Sequence, residues 1–141
     1  IRDSPMADVM KNLGVKRALI VYGDDGLDEI SISSTTSVCE IDGDEIKGYT
    51  INPEELGLTL AKKEDIVGGT ADENAIITKD ILTGKEQGAK RDIVLLNAGA
   101  ALYTIGKAET IKDGVKLAAE MIDSGKANEK LEQFIAYTNV K

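Results

Sequence analysis

Apolar and polar positions along the chain fall into a strand-rich first part and a helical second part, a mixture of α and β elements. Ser4 and Pro5 mark a helix start, with Ser4 as cap and Pro5 in the first helical position. Met6, Val9, Met10 and Leu13 then share one face up to Gly14. Residues 15–22 predict a strand, and within it 18–22 is an apolar run without alternation, which suits a strand covered on both faces, as in a parallel sheet. Residues 38–41 and 45–51 are two further β-rich runs joined through Asp42-Gly43, a hairpin signal. Asn52-Pro53-Glu54-Glu55 predicts a short helical turn before Gly57.

Beyond this point four helices are predicted, over 72–83, 89–105, 111–124 and a last one through Tyr137, each stopping near a glycine or the chain end. The second is apolar almost all round (Ile93, Val94, Leu95, Leu96, Ala98, Ala100, Ala101, Leu102), as suits a helix buried within a domain; a strand over 93–96 is a rival reading. The third carries one apolar stripe, Ile111, Val115, Ala118, Ala119 and Ile122, and the fourth another, Leu131, Phe134 and Ile135. Thr70 with Glu73 and Thr110 with Asp113 have capping-box spacing. Gly68-Gly69 before that first cap could also receive phosphate through backbone N–H groups, although capping alone accounts for the pattern.

The chemistry is concentrated between Val21 and Glu29, where the apolar run meets a turn with Asp24, Asp25, Asp28 and Glu29. Gly-Asp-Asp-Gly is by itself an ordinary solvated turn. Asp28 and Glu29 fall after Leu27 and before Ile30, where such a turn should have ended, and acidic residues at the carboxyl end of a strand are well placed to hold a cation beside a bound phosphate. On an extended backbone adjacent side chains point apart, so the pair suits bridging two hard cations better than chelating one. The hydroxyl cluster over 31–37 reads as loop or short strand, either solvated or able to reach a phosphate.

Composition narrows the function classes. The 141 residues suffice for one domain with a real core, with 42% hydrophobic and 30% charged residues. No run approaches a membrane span, and the composition is of cytoplasmic type. Asp and Glu number 25 against 17 Lys and Arg, and the net charge of −8 repels nucleic acid and anionic membrane. The single cysteine, Cys39, excludes an internal disulfide and, with no basic neighbour in its strand, reads as a small buried hydrophobe. Without histidine there is no Ser-His dyad and no imidazole base.

Residues 17–21 followed by Gly-Asp-Asp-Gly-Leu-Asp-Glu-Ile-Ser over 23–31 resemble the anthranilate phosphoribosyltransferases of tryptophan biosynthesis. Four more blocks resemble that family in the same order: Y-T-I-N-P-E-E-L-G-L over 49–58, Gly68-Gly69 with Glu73-Asn74-Ala75, R-D-I-V-L-L-N-A-G-A-A-L-Y over 91–103, and D-S-G-K-A over 123–127. Tyr22 departs from the histidine of many members, while the acidic residues after it are intact.

The resemblance implies part of the nucleoside phosphorylase/phosphoribosyltransferase α/β catalytic domain, with a parallel strand, a β-hairpin and a C-terminal cluster of helices. The implied reaction transfers the phosphoribosyl group of phosphoribosyl pyrophosphate to anthranilate and releases pyrophosphate. Asp28 and Glu29 match the family's metal-binding pair, and the implied cofactor is Mg²⁺. Members carry, upstream of the block that matches Ile1, a helical dimerisation region and a glycine-rich phosphoribosyl pyrophosphate loop. Residues 1–141 are therefore expected to be the C-terminal portion of the domain in a homodimeric enzyme, inactive alone. A pyrimidine-nucleoside phosphorylase-like enzyme and a non-catalytic metal-binding or interaction module of the same fold are the alternatives.

Overall fold

The structure, a computed structural model, describes residues 4–139. Strands β1 (Arg17–Gly23), β2 (Thr36–Asp42) and β3 (Glu45–Ile51) form one sheet in the order β1-β2-β3. The α/β class is as expected, but the expected parallel strand runs antiparallel to its neighbour. Arg17 lies opposite Asp42 and Gly23 opposite Thr36.

The unbroken apolar run did report coverage of both faces. Leu19 and Val21 pack on the main core, while Ala18 and Ile20 pack on the other face with Ala7, Cys39 and Ile41. Coverage does not encode direction, however, and the β1–β2 connection contains no helix of the kind a parallel crossover usually needs. The β2–β3 hairpin forms as expected with its tip one residue later, at Gly43-Asp44, because Asp42 pairs with Glu45.

Helix α1 (Pro5–Asn12) follows Ser4, whose side chain makes no capping bond. Its expected apolar face is not its buried face. Ala7 is buried against the sheet and Met10 packs beside it, whereas Met6, Val9 and Leu13 are exposed. Two 3₁₀ turns, Pro53–Leu56 and Lys63–Ile66, lead to α2 (Ala71–Leu82), α3 (Ala89–Thr104), α4 (Ile111–Asp123) and α5 (Lys126–Thr138), close to the predicted limits.

Both capping signals operate. The Thr70 side chain accepts from the Glu73 N–H and Glu73 returns to the Thr70 N–H, while Thr110 accepts from the Asp113 N–H. Before α2, the Gly69 N–H donates to Asn74 Oδ1 at 2.8 Å and the Thr70 N–H to Glu73 Oε2 at 2.7 Å.

Helix α3 is the centre of the helical layer, in place of the rival strand. Leu95, Leu96, Gly99 and Ala100 are buried, while Val94 and Ala101 face outward, so burial stops short of every side. It lies against α4 at a point of unusual closeness. A Cβ added to Gly99 would stand 2.5 Å from Val115 N and 2.8 Å from Gly114 C. On α4, Val115, Ala118 and Ile122 bury the expected stripe. On α5 only Leu131 of the expected stripe is partly covered, and Phe134 and Ile135 are exposed. No helix among the described residues is long and apolar enough to cross a membrane.

Candidate functional site

The acidic loop leaves the end of β1 and turns back on itself. Gly23 N–H donates to Leu27 O at 2.9 Å and Gly26 N–H to Gly23 O at 2.7 Å. Gly23 is required by this closeness, since a Cβ there would stand 2.8 Å from Asp25 Oδ1 and 3.1 Å from Leu27 Cβ.

Its four carboxylates do two different jobs. Asp24 accepts the hydroxyls of Thr35 (2.6 Å) and Ser37 (2.9 Å), stapling the end of β1 to the start of β2. Asp25 accepts the Ser31 hydroxyl at 2.9 Å, the Ser33 hydroxyl at 2.5 Å and, more weakly, the Leu27 N–H at 3.4 Å. The Lys63 ammonium donates to the Asp25 carbonyl.

Burial pulls the Asp25 carboxyl upward, but the bonds from Ser33, Ser31 and Leu27, with the Lys63 charge, outweigh it and hold it below its usual range. Bonds from Thr35 and then Ser37 lower Asp24 likewise. The hydroxyl cluster is therefore an ordered wall behind the acidic loop, with Ser31 and Thr36 fully buried, and Ser31 N–H donating to Thr36 Oγ1 at 2.9 Å.

Asp28 and Glu29, the predicted metal ligands, stand apart from this network. Both are exposed, and among the described residues neither makes a side-chain hydrogen bond or ion pair. The Glu29 carboxyl lies above its usual range, chiefly because the surrounding chain removes part of its water although the residue as a whole stays exposed, and secondly because Asp28 repels it.

Two adjacent, uncompensated carboxylates on a loop otherwise fully bonded are hard oxygen donors suited to Mg²⁺. That ion commonly takes one or two carboxylates, with phosphates and waters completing its octahedron. No group of three or more His, Cys, Asp or Glu side chains that could hold a metal ion occurs among the described residues.

Elsewhere the structure settles two residues singled out from the sequence. Cys39 is buried and its thiol is pushed up by that burial, as suits an inert core residue. Tyr22, at the end of β1, is exposed.

Sequence reasoning missed two supports of the site, Asn97 and Lys63. Asn97 Oδ1 accepts the Ile30 N–H at 3.0 Å, and its Nδ2 donates to Ile30 O at 2.9 Å, joining α3 to the residue after Glu29 across 67 positions of sequence. A lone carboxamide between Leu96 and Ala98 in an otherwise apolar helix was the available signal, because a polar group there needs partners. Lys63 had none, being one lysine among several in a polar stretch.

The sequence profile of the glycosyl transferase family, a/b domain, matches residues 3–128, and the chain belongs to that family. It is 57% identical over 135 residues to the anthranilate phosphoribosyltransferase of Methanobrevibacter smithii, an alignment covering 96% of this chain and 40% of that protein. The crystal structure of anthranilate phosphoribosyltransferase from Thermus thermophilus superposes with a TM-score of 0.86 at 39% identity, over 96% of this chain and 40% of that one. The Saccharomyces cerevisiae enzyme in complex with PRPP and Mg superposes with a TM-score of 0.76 at 28% identity, over 86% of this chain and 35% of that one. The chain thus spans about 40% of the length of the relatives it matches.

Proposed function

We propose that this chain is the C-terminal portion of the catalytic domain of an anthranilate phosphoribosyltransferase. The whole enzyme transfers the phosphoribosyl group of phosphoribosyl pyrophosphate to anthranilate and releases pyrophosphate, a step of tryptophan biosynthesis. The high identity to a relative of that name supports the reaction. The observation that carries the site is the Asp28–Glu29 pair, exposed and uncompensated at the end of a loop whose other carboxylates are all engaged.

Asp28 and Glu29 would hold Mg²⁺, and the yeast enzyme in complex with PRPP and Mg supports the choice of ion. Bound there, the ion supplies charge stabilisation to the departing pyrophosphate. This chain's own part is to present two anionic oxygens without internal competitors, and to hold their loop still through Asp24, Asp25 and the hydroxyl wall. A homodimer formed through an N-terminal helical region, and a cytoplasmic location, complete the proposal.

The test is a magnesium titration of kcat in the full-length enzyme. Asp28→Asn and Glu29→Gln preserve shape and remove the anionic oxygens, so turnover should fall about a hundred- to a thousand-fold, by analogy with loss of one oxyanion-hole donor. Parental rate and parental magnesium dependence in both variants would return the pair to a solvated turn.

A further inference from the structure

We propose that Asn97 is a positioning residue that fixes the backbone of the Asp28–Glu29 turn. The proposal rests on the metal reading of that pair and adds what holds it in place. Three bonds consume the Asn97 carboxamide. Oδ1 accepts the Ile30 N–H at 3.0 Å, and Nδ2 donates to Ile30 O at 2.9 Å and to Ile93 O, one turn back on its own helix, at 3.0 Å. The last bond locks the side chain to α3, and the first two make it act as a partner strand for a single residue.

The Ile30 N–H belongs to the peptide unit that joins Glu29 to Ile30, so holding it fixes the orientation of the Glu29 backbone and the direction in which its side chain leaves. Ile30 itself is 2% exposed and Ser31 fully buried, so the chain passes from solvent to core within one peptide of Glu29. On the other side of the pair, Leu27 is held through its N–H by Asp25 and through its carbonyl by Gly23. Asp28 and Glu29 thus sit between two anchored points, one within the loop and one supplied by α3. Helix α3 is in turn seated on α4 at Gly99, two residues beyond Asn97.

A purely structural account would have Asn97 do no more than satisfy two buried backbone groups. The two accounts differ in what happens to metal affinity once the protein is folded, since residues that orient metal ligands typically cost about 10- to 100-fold in affinity when removed.

The experiment uses the full-length enzyme with Asn97→Ala, which leaves neither donor nor acceptor at this position, and Asn97→Leu, which is close to asparagine in size and also carries no polar atom. Val115→Ala, a core change on α4, is the control for general destabilisation. In metal-free protein, hydrogen exchange at the Ile30 amide should accelerate at least about tenfold in both Asn97 variants beyond any change in the control. The Mg²⁺ concentration for half-maximal turnover should rise about 10-fold or more in those variants only.

A folded Asn97→Ala enzyme with parental half-saturation, alongside a shifted Asp28→Asn enzyme, overturns the positioning role and leaves the metal pair standing. If Asp28→Asn is also unshifted, the metal reading itself has failed. Should Asn97→Leu not fold, Asn97→Ala alone decides.

Discussion

Replacing Gly99 by alanine tests the contact on which the helical layer and, through α3, the acidic loop depend. The new Cβ would meet Val115 N at 2.5 Å and both Gly114 C and Val115 Cα at 2.8 Å. Unstrained heavy-atom contacts lie at roughly 3.5–4.0 Å, and all three neighbours are backbone, so no side chain can swing away. The helices must separate by about 1 Å. Overpacking of this kind costs roughly 1–3 kcal/mol, and the rigid partners place it near the upper end. Against this, alanine is better than glycine inside a helix by about 1 kcal/mol.

The net expectation is a loss of about 2 kcal/mol, close to a thirty-fold fall in the folded-to-unfolded ratio. With a urea m-value near 2 kcal/mol per molar, the midpoint should drop by about 1 M. Urea titration of the 141-residue chain by circular dichroism, parent and variant at one protein concentration, gives the difference. Ala101→Gly, on the exposed face of the same helix, isolates the propensity effect and should cost about 1 kcal/mol. Gly99→Ala with Gly114→Ala should cost less than the sum of the two, because one separation relieves both clashes. A Gly99→Ala chain as stable as the parent, or more so, would show that α3 and α4 do not meet at these glycines.

Asp25 should make the loop acid-sensitive. Its folded-state pKa is depressed, so it contributes stability that is present above its unfolded value near 3.9 and is lost as pH falls through the folded one. The stability gap between parent and Asp25→Asn, followed by thermal unfolding, should be constant above about pH 5 and narrow below about pH 4; a gap unchanged down to pH 2 would refute this. The 141-residue chain alone, with phosphoribosyl pyrophosphate, anthranilate and Mg²⁺, should show no turnover, since positioning groups outside it carry much of the rate. Steady loss of anthranilate fluorescence with the purified chain would count against its being a portion of the catalytic domain.

What the sequence determined by itself was everything that depends on a few neighbouring residues. The extents of α2 to α5, the two threonine caps, the hairpin, the inert Cys39 and the acidic loop after β1 follow from local spacing and from the needs of unpaired backbone groups at helix ends. Tertiary structure alone decided the direction of β1, since an apolar run records how many faces are covered and says nothing of which way the neighbour runs. It decided too that Met6 and Val9 on α1, Leu13 just after it and Phe134 on α5 stand exposed, because a stripe states a demand for burial without supplying the surface that meets it. The split of four like carboxylates into two bonded anchors and an exposed pair without side-chain bonds was equally invisible in one dimension. It depends on which hydroxyls, and which carboxamide 67 residues away, the folded chain brings within hydrogen-bonding distance.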